Sequence, residues 1–309
     1  MTPRSILAIT DLTARTASAL SRAGQLAAEH NAALTLVYAG WAGEGQLSQA
    51  ACRLSHHALQ LEQRHGLRVR TVSQPMNTPQ DLANQARDTD LVVMGAMNSE
   101  RGLRSFFCGS AAERLMRMVQ RPVLVVRQPA DGPYQRLLIA VDFSQVSRSL
   151  VQHAFALNAS AQVELFHAIS TVNERKLRGA DVPEHVVEAY RHECRRHAQD
   201  QMLSLADSTE ARRNRVSWAL GRGDPGRQAA VQQQHSGAEL LVVGKHPASA
   251  LSDFVFGSVA KRVLRTATGD VMVVPHNAMP ATRAANLRPS GSSEPMTRRV
   301  RAGVRTPVS

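Results

Sequence analysis

The sequence predicts an α/β protein made of two tandem, doubly wound parallel sheets, each with five strands in the order 3-2-1-4-5 and helices on both faces. Short, uninterrupted runs of Val, Ile and Leu, such as residues 240–243, are typical of parallel strands that are buried on both faces. These runs alternate with longer helical stretches, which favours right-handed crossovers within each sheet. The whole pattern occurs twice along 309 residues, a length that suits about two ordinary domains.

The first copy is assigned to residues 1–130. A strand over residues 6–11 ends in Asp11, and a helix follows it to about His30. An apolar strand over residues 34–38 precedes a long helix that is rich in His, Arg and Gln. An apolar run over residues 122–127 completes the copy and is predicted to be its fifth strand.

The second copy is assigned to residues 131–277 and begins with Asp-Gly-Pro, a sequence typical of a linker. Its first strand covers residues 136–142 and ends in Asp142, and its first helix reaches about Asn158. A long helix again follows the second strand. The remaining strands are predicted at residues 163–168, 215–220, 240–243 and 270–275.

The clearest repeat lies late in each copy. Residues 109–126 align without gaps to residues 257–274, with 8 identities in 18 positions. Repetition on this scale indicates two domains built from one template. Residues 278–309 contain mostly Ala, Pro, Ser, Gly and Arg without periodicity, so we expect a disordered basic tail there.

The charge distribution disfavours a dedicated nucleic-acid-binding protein. The net charge of +12 divides into +5 over residues 1–130, +2 over residues 131–277 and +5 over the tail. The body of the chain therefore has no concentrated basic region of the kind that tracks phosphates.

Composition also predicts the compartment. No apolar run approaches the ~20 residues that a membrane-spanning helix needs, so we expect a soluble protein without membrane association. The three cysteines, Cys52, Cys108 and Cys194, are odd in number and far apart. They suit a reducing compartment, and we expect the protein to be cytoplasmic.

A Gly-Arg-Gly-Asp-Pro-Gly segment at residues 221–226 matches the glycine pattern of dinucleotide-binding turns. It would make the protein a nicotinamide-linked oxidoreductase. However, the segment follows the third strand of its copy rather than the first, and the next strand ends in Gly244-Lys245 without a carboxylate for a ribose. An ordinary turn, with Asp224 as the helix cap and Pro225 at the first helical position, explains the same residues.

A second candidate site lies after the fourth strand of the second copy. Gly244 would allow a ligand to approach the backbone, and Gly257-Ser258 opens a helix whose positive end suits phosphates. Asp142 would be a neighbour, because strands one and four flank the point where the winding reverses and ligands bind. Alternatively, Gly257-Ser258 is an ordinary helix start with Ser258 as the N-cap.

Both copies resemble the universal stress protein A family over nearly all of residues 4–276. Family members that bind nucleotide carry Gly-2x-Gly-9x-Gly-(Ser/Thr) after the fourth strand and an Asp at the end of the first. The second copy keeps Asp142 and the full spacing, but Pro247 replaces the second glycine of the motif. Proline lacks a backbone N–H donor. The first copy keeps Asp11 and Gly95, but Asn98 replaces the second glycine of the motif. Ten residues rather than nine separate Asn98 from Gly109-Ser110.

The resemblance implies an adenine-nucleotide site for ATP, with Mg²⁺ as its companion ion, in the second copy and a degenerate site in the first. The implied cofactor-binding residues are Ala140, Val141, Asp142, Ala168, Val243, Gly244, Pro247, Gly257, Ser258 and Val259.

A predicted helix carries His185, Glu188, His192, Cys194 and His197, which are residue types that can bind a metal ion. Residues 185, 188 and 192 would share one helical face, but the spacing of the last two histidines does not match zinc proteases. Scattered histidines on a solvated helix explain the pattern, so no metal site is predicted.

The function that follows is an ATP-binding regulator of the stress response with an unidentified regulatory protein partner. No catalytic residues are predicted and an enzyme is not expected, since the chain has neither a Gly-x-x-x-x-Gly-Lys-(Ser/Thr) loop nor a Gly-x-Ser-x-Gly elbow. A nucleotide-free interaction scaffold and the nicotinamide-linked oxidoreductase remain as alternatives.

The fifth strands predict an assembly. Family members commonly pair this edge strand with the same strand of another domain, and a bare apolar edge seeks a partner. We therefore expect an intrachain pseudo-dimer, with Val123, Val125, Val271 and Val273 near the contact between the copies. Pairing between two chains, as a homodimer, is the other arrangement considered.

Overall fold

Strands and helices alternate along both halves of the chain. The computed structural model describes residues 2–39, 47–72, 74, 76–95, 111–207, 216–245 and 257–276. The strands are β1 Ser5–Thr10, β2 Ala33–Tyr38, β3 Val69–Val72, β4 Leu91–Gly95, β5 Val123–Val126, β6 Arg136–Ala140, β7 Gln162–Ile169, β8 Ser217–Arg222, β9 Leu240–Lys245 and β10 Asp270–Pro275. The α-helices are α1 Ala14–His30, α2 Leu47–His65, α3 Pro79–Gln85, α4 Ala111–Met118, α5 Gln145–Leu157, α6 Val172–Gly179, α7 Glu184–Ala206, α8 Pro225–Ser236 and α9 Ser258–Thr266.

The strands of the described residues form one sheet in the order β3-β2-β1-β4-β5-β10-β9-β6-β7-β8. Within each half the neighbouring strands are parallel and follow the order 3-2-1-4-5. The predicted fold class is therefore confirmed. The two five-stranded sheets do not stand apart, however, because they meet edge to edge and continue as a single sheet.

Two helical layers cover the sheet, and the alternation of side chains along each strand separates their cores. In β1, Ile6 and Ala8 belong to one apolar cluster, together with side chains of α1, α2, α5 and α7. Leu7 and Ile9 belong to the other, with side chains of α3, α4, α8 and α9. Strands buried on both faces explain why the sequence shows continuous rather than alternating apolar runs.

The junction between the halves is an antiparallel pairing of the two fifth strands. Val125 lies opposite Val271 and Val123 lies opposite Val273, so both edge strands gain a hydrogen-bonded partner within the chain. All four valines are buried. This is the edge pairing that the apolar character of the two strands predicted.

A buried carboxylate at the start of β10 fastens the linker to this junction. Asp270, which is 1% exposed, accepts hydrogen bonds from the backbone N–H groups of Arg127 and Gln128 at 2.7 and 3.1 Å. Its other oxygen accepts the Tyr134 hydroxyl at 2.6 Å, and burial together with this carboxylate raises the pKa of Tyr134 well above its usual value. The guanidinium of Arg22 from α1 stacks 4.1 Å from the Tyr134 ring centroid, which ties the first half to the same point.

A second buried group, Lys245, joins β9 of the second half to a helix of the first. Its ammonium donates hydrogen bonds to the carbonyl oxygens of Met116 at 2.6 Å, Arg117 at 2.7 Å and Val119 at 3.3 Å. These carbonyls lie at the carboxyl end of α4, where helix carbonyls lack partners within the helix. Burial lowers the pKa of Lys245 to about 8, so the ammonium form still dominates at neutral pH.

Several predicted strand boundaries shift by one or two residues, and two predicted elements change more. The strand predicted over residues 215–220 begins at Ser217 and continues to Arg222, because Gly221 and Arg222 stay in the ladder with β7. The single long helix predicted after the second strand of the second half is two helices, α6 and α7. The chain turns between them at Asp181, whose φ of 50° ends the first helix, and Pro183 precedes the second.

Several predictions fall outside the described residues. They concern Cys108, the loop residues Asn98, Gly109, Ser110 and Pro247, and the tail over residues 278–309. In the described part of the chain, none of the helices combines the length and the apolar character that crossing a bilayer requires.

Replacing Lys245 tests its contribution to the contact between the halves. Lys245→Met keeps a flexible chain of similar size but leaves carbonyls at the end of α4 without their buried donor. We expect the free energy of unfolding to fall by about 1–3 kcal/mol in urea titrations. Lys176→Met, at an exposed position of α6, is the control and should change it by less than about 0.5 kcal/mol. Equal stabilities of the two variants would contradict this role for Lys245.

Candidate functional site

A cavity of about 140 Å³ lies at the carboxyl ends of β6, β7 and β9. Strands β6 and β9 are neighbours in the sheet, and they are the first and fourth strands of their half. The cavity therefore occupies the point where the winding of the sheet reverses, where ligands bind in this class of fold. The lining residues are Ala140, Val141, Asp142, Val146, Leu150, Phe166, His167, Ala168, Pro225, Val243, Gly244 and Val259.

Most of the residues predicted from the sequence are brought together here. The predicted residues that line the cavity are Ala140, Val141, Asp142, Ala168, Val243, Gly244 and Val259. Gly257 and Ser258 do not line it, but they begin α9, directly before the lining residue Val259. Pro247 lies outside the described residues.

The start of α9 differs in detail from the expected helix cap. Gly257 is the N-cap, and Ser258 is the first helical residue rather than the cap. The N-cap makes no side-chain hydrogen bond to the first turn, because a glycine has no side chain to offer. The positive end of this helix therefore lies beside the cavity without a side-chain cap from its N-cap residue.

Asp142 is held in one orientation by the turn that follows β6. Its Oδ1 accepts hydrogen bonds from the Ser144 backbone N–H at 3.0 Å, the Ser144 hydroxyl at 2.7 Å and the Ser147 hydroxyl at 3.2 Å. Phe143, between them, adopts a φ of 63°, a left-handed conformation that non-glycine residues rarely take. The turn thus directs one carboxylate oxygen to the helix start while the residue lines the cavity.

The first half repeats this turn closely. Asp11 Oδ1 accepts the Thr13 backbone N–H at 2.9 Å, the Thr13 hydroxyl at 2.7 Å and the Thr16 hydroxyl at 3.0 Å. Leu12 has a φ of 59°, matching that of the corresponding Phe143. The two aspartates therefore share a local structural role that the sequence pattern alone did not reveal.

Between the Asp11 turn and α2, the described residues line a space of about 20 Å³. Helix α2 closes it, because Arg53 donates a hydrogen bond to the Leu12 carbonyl at 2.7 Å and Ala50 is buried against the turn. The loop around Asn98, on which the prediction of a degenerate first site depends, lies outside the described residues. Among the described residues, α2 packs on the turn that holds Asp11.

His167 is a lining residue that sequence analysis missed. Its Nδ1 lies 2.8 Å from the Val141 carbonyl oxygen, and since a carbonyl only accepts, this nitrogen carries the proton. Burial lowers the pKa of His167, which favours the neutral ring with Nε2 as an acceptor. The ring also packs on Phe143, with centroids 4.3 Å apart. The feature of the sequence that could have indicated this residue is its position near the end of the second strand of the second half.

The rest of the wall is apolar. Val146 and Leu150 lie one turn apart on α5, and Phe166 and Pro225 complete the surface. A Cβ atom added to Gly244 would lie 3.5 Å from Val146 Cγ1 and 3.7 Å from Leu150 Cδ1, so the backbone tolerates a small side chain there. A larger one would extend into the cavity.

The glycine-rich segment at residues 221–226 is a structural turn, as the simpler interpretation predicted. Asp224 caps α8 by accepting the Arg227 backbone N–H at 2.9 Å, and Pro225 is the first helical residue. Gly221 packs so closely on Phe166 that a Cβ would lie 2.5 Å from the ring. Gly226 faces α9, where a Cβ would lie 2.7 Å from Arg262 Cβ. Packing thus accounts for glycine at these two positions.

The histidine-rich helix α7 borders a second cavity. Among the described residues, no group of three or more His, Cys, Asp or Glu side chains is placed to hold a metal ion. Instead, several residues of α7 line a second cavity of about 540 Å³ beside the ends of β7 and β8. Its lining residues are Ile169, Ser170, Glu174, Glu188, Tyr190, Arg191, His192, Cys194, Arg195, Leu220, Gly221 and Arg222.

Glu174 is the charged centre of this second cavity. The residue is 6% exposed, and its two oxygens accept hydrogen bonds from Arg191 of α7 and Arg222 of β8. Arg178 lies 3.8 Å away on the same helix. The guanidinium hydrogen bonds lower the pKa of Glu174 to about 2, which keeps the carboxylate ionised in mild acid.

An acid titration tests this arrangement. The pKa of Glu174 is lower in the folded state than its ordinary value of 4.5, so the unfolded chain binds more protons between about pH 2 and 4.5. The stabilisation from Glu174 is therefore present above that range and lost as the pH falls through it. We expect the wild type to lose its stability advantage over Glu174→Gln across this interval in urea titrations. A constant difference between the two proteins would contradict the ion-pair network.

The chain was compared with known proteins. The family model described as "Universal stress protein family" matches residues 3–127 and 133–275, one match in each half. A universal stress protein of Mycobacterium tuberculosis is 29% identical over 241 residues, which are 74% of this chain and 75% of that protein. A universal stress protein of Mycolicibacterium smegmatis is 25% identical over 300 residues, covering 87% and 96% of the two chains.

Solved structures show the same fold. A functionally unknown protein from Pseudomonas aeruginosa superposes with a TM-score of 0.65 at 21% identity, covering 89% of this chain and 93% of that chain. A universal stress protein from Archaeoglobus fulgidus gives a TM-score of 0.62 at 14% identity, with coverages of 88% and 96%. With two family matches that together span most of its length, the chain belongs to the universal stress protein family and carries two of its domains in tandem.

Proposed function

We propose that the second half of this protein binds an adenine nucleotide, ATP, and that the protein acts as a nucleotide-dependent regulator rather than as an enzyme. The observation that carries the proposal is the cavity at the ends of β6 and β9, where seven residues predicted from the sequence meet. Its location at the reversal of the winding is the place where this class of sheet binds ligands.

The size and the lining of the cavity suit the base of a nucleotide. At about 140 Å³ it is smaller than the ~300–1,000 Å³ of typical ligand pockets, so it would hold only part of a nucleotide. Apolar side chains such as Val146, Leu150 and Phe166 would contact the faces of the base. The neutral imidazole of His167 would offer Nε2 as an acceptor for the exocyclic amine of adenine.

The polar parts of the nucleotide would extend away from this apolar wall. Asp142 would accept hydrogen bonds from ribose hydroxyls, since its carboxylate lines the cavity and is fixed by the turn. The phosphates would reach the beginning of α9, where Gly257 leaves room for close approach and the helix dipole favours negative charge. Mg²⁺ would accompany the phosphates and partly neutralise them.

A regulatory role is proposed because the sequence carries no recognisable machinery for phosphoryl transfer or hydrolysis. Neither a phosphate-binding Gly-x-x-x-x-Gly-Lys-(Ser/Thr) loop nor a nucleophile elbow is present in the chain. The oxidoreductase alternative loses its main support, since packing accounts for Gly221 and Gly226. An unidentified protein partner would read the nucleotide-bound state.

Mass analysis of the small molecules released by acid from freshly purified protein tests nucleotide binding directly. We expect ATP or ADP in the released fraction, and binding of added ATP in calorimetry after the bound nucleotide is removed. If the purified protein releases no nucleotide and the stripped protein binds no ATP, the proposal is wrong and the nucleotide-free scaffold is the better description.

A matched pair of variants locates the site in one half. In Asp142→Asn the amide oxygen can still accept the hydrogen bonds of the turn, but the amide nitrogen cannot accept a ribose hydroxyl. Loss of one charge-assisted hydrogen bond should weaken ATP binding roughly tenfold or more. Asp11→Asn makes the same change in the same turn of the first half and should leave ATP affinity unchanged. An equal loss of affinity in both variants would exclude the assignment to the second half.

A further inference from the structure

We infer that the cavity of about 540 Å³ beside the ends of β7 and β8 is a second binding site, which takes a small organic anion through its carboxylate or phosphate group. The site is distinct from the nucleotide cavity. None of the residues that line one cavity lines the other, although the two adjoin along β7, where Ala168 lines the first and Ile169 the second.

The charge of the lining favours an anion. Three arginines, Arg191, Arg195 and Arg222, line the cavity together with two carboxylates, Glu174 and Glu188. The guanidinium group is planar, remains charged at all relevant pH values and binds carboxylate or phosphate with two parallel hydrogen bonds. The lining therefore has one more positive than negative side chain among these five, and its positive groups are guanidiniums, which are suited to bind the two oxygens of a carboxylate or phosphate.

Glu174 positions two of these arginines. By accepting hydrogen bonds from Arg191 of α7 and Arg222 of β8, it holds their guanidinium groups together across the cavity. Arg191 is also 3.4 Å from Glu184, which restrains it further. Side chains that are already held in position lose less conformational entropy when a ligand binds. The contacts with Glu174 therefore favour binding of a ligand beside Arg191 and Arg222.

Arg195 is the cation that remains for a ligand. It lies one helical turn after Arg191 on α7, and within the described residues it forms no ion pair. It is exposed, so binding an anion would not require breaking an existing contact of this side chain. An exposed arginine beside two restrained ones can close on a ligand from the open side of the cavity.

The remaining lining indicates an organic ligand rather than a bare inorganic ion. Ile169 and Leu220 provide apolar surface, while Ser170, Tyr190 and His192 provide hydrogen-bonding groups. A volume of about 540 Å³ falls within the ~300–1,000 Å³ range of small-molecule pockets. We therefore assign a ligand with a polar organic body and at least one carboxylate or phosphate group.

Calorimetry on the full chain tests the inference with two probes, citrate for carboxylates and glucose 6-phosphate for phosphates, at ~0.15 M salt to suppress non-specific attraction. We expect at least one probe to bind. Binding of citrate alone would identify a carboxylate ligand, and binding of glucose 6-phosphate alone would identify a phosphate ligand.

Arg195→Gln and Arg196→Gln form the matched pair of variants. Arg196 is the next residue on α7, is 72% exposed, pairs with Glu193 and does not line the cavity. Removal of the Arg195 charge should weaken probe binding roughly tenfold, whereas Arg196→Gln should leave it unchanged. Arg195 is exposed and forms no ion pair among the described residues, and Arg196 pairs with the exposed Glu193. We therefore expect neither substitution to affect folding, which thermal unfolding checks.

Three results would overturn the inference. The first is that neither probe binds the wild type, and the second is that both variants bind the probe as the wild type does. The third is that ATP competes with the probe, which would place the anion in the nucleotide site instead. The experiment remains decisive if the protein binds no ATP at all, because probe binding and its dependence on Arg195 are measured without nucleotide.

Discussion

The antiparallel pairing of β5 with β10 is the contact on which the arrangement of the whole molecule depends. It converts two exposed apolar edges into interior strands and makes one sheet from two. Because Asp270 holds the linker and Arg22 at the same junction, the second half has a defined position relative to the first. Pairing within the chain protects these apolar edge strands from association with another chain.

The two halves share a template but differ at their binding ends. Asp11 and Asp142 form the same turn with the same hydroxyl contacts, yet α2 covers the first turn and a cavity opens beside the second. Lys245 adds to the asymmetry, because it follows Gly244 of the candidate nucleotide site and binds carbonyls of the first half. Under the proposed function, one half would bind the nucleotide, while the other contacts the nucleotide-binding half through Lys245.

The sequence was sufficient for features that depend on local pattern and repetition. Continuous apolar runs predicted the parallel strands, and seven of the ten residues implied by the family resemblance line one cavity at the carboxyl ends of the strands. Contacts between residues far apart in sequence could not be predicted in this way. Lys245 reaches α4 across the junction, and Glu174 of α6 accepts a hydrogen bond from Arg222 of β8, which is 48 residues away in sequence. The sequence favoured scattered histidines on a solvated helix for α7, and it did not show that Arg191 and Arg195 of the same helix line the larger cavity, since a one-dimensional pattern does not show which face borders a cavity.

The number of ATP molecules bound by each full-length chain tests the central claim most directly. Equilibrium dialysis with ATP and Mg²⁺ at saturating nucleotide would measure it, with Gly244→Val as the variant that fills the cavity against Val146 and Leu150. We expect one ATP per wild-type chain and a large loss of binding in the variant. Two ATP molecules per chain, or one that Gly244→Val leaves unchanged, would contradict the assignment of the nucleotide site to the second half.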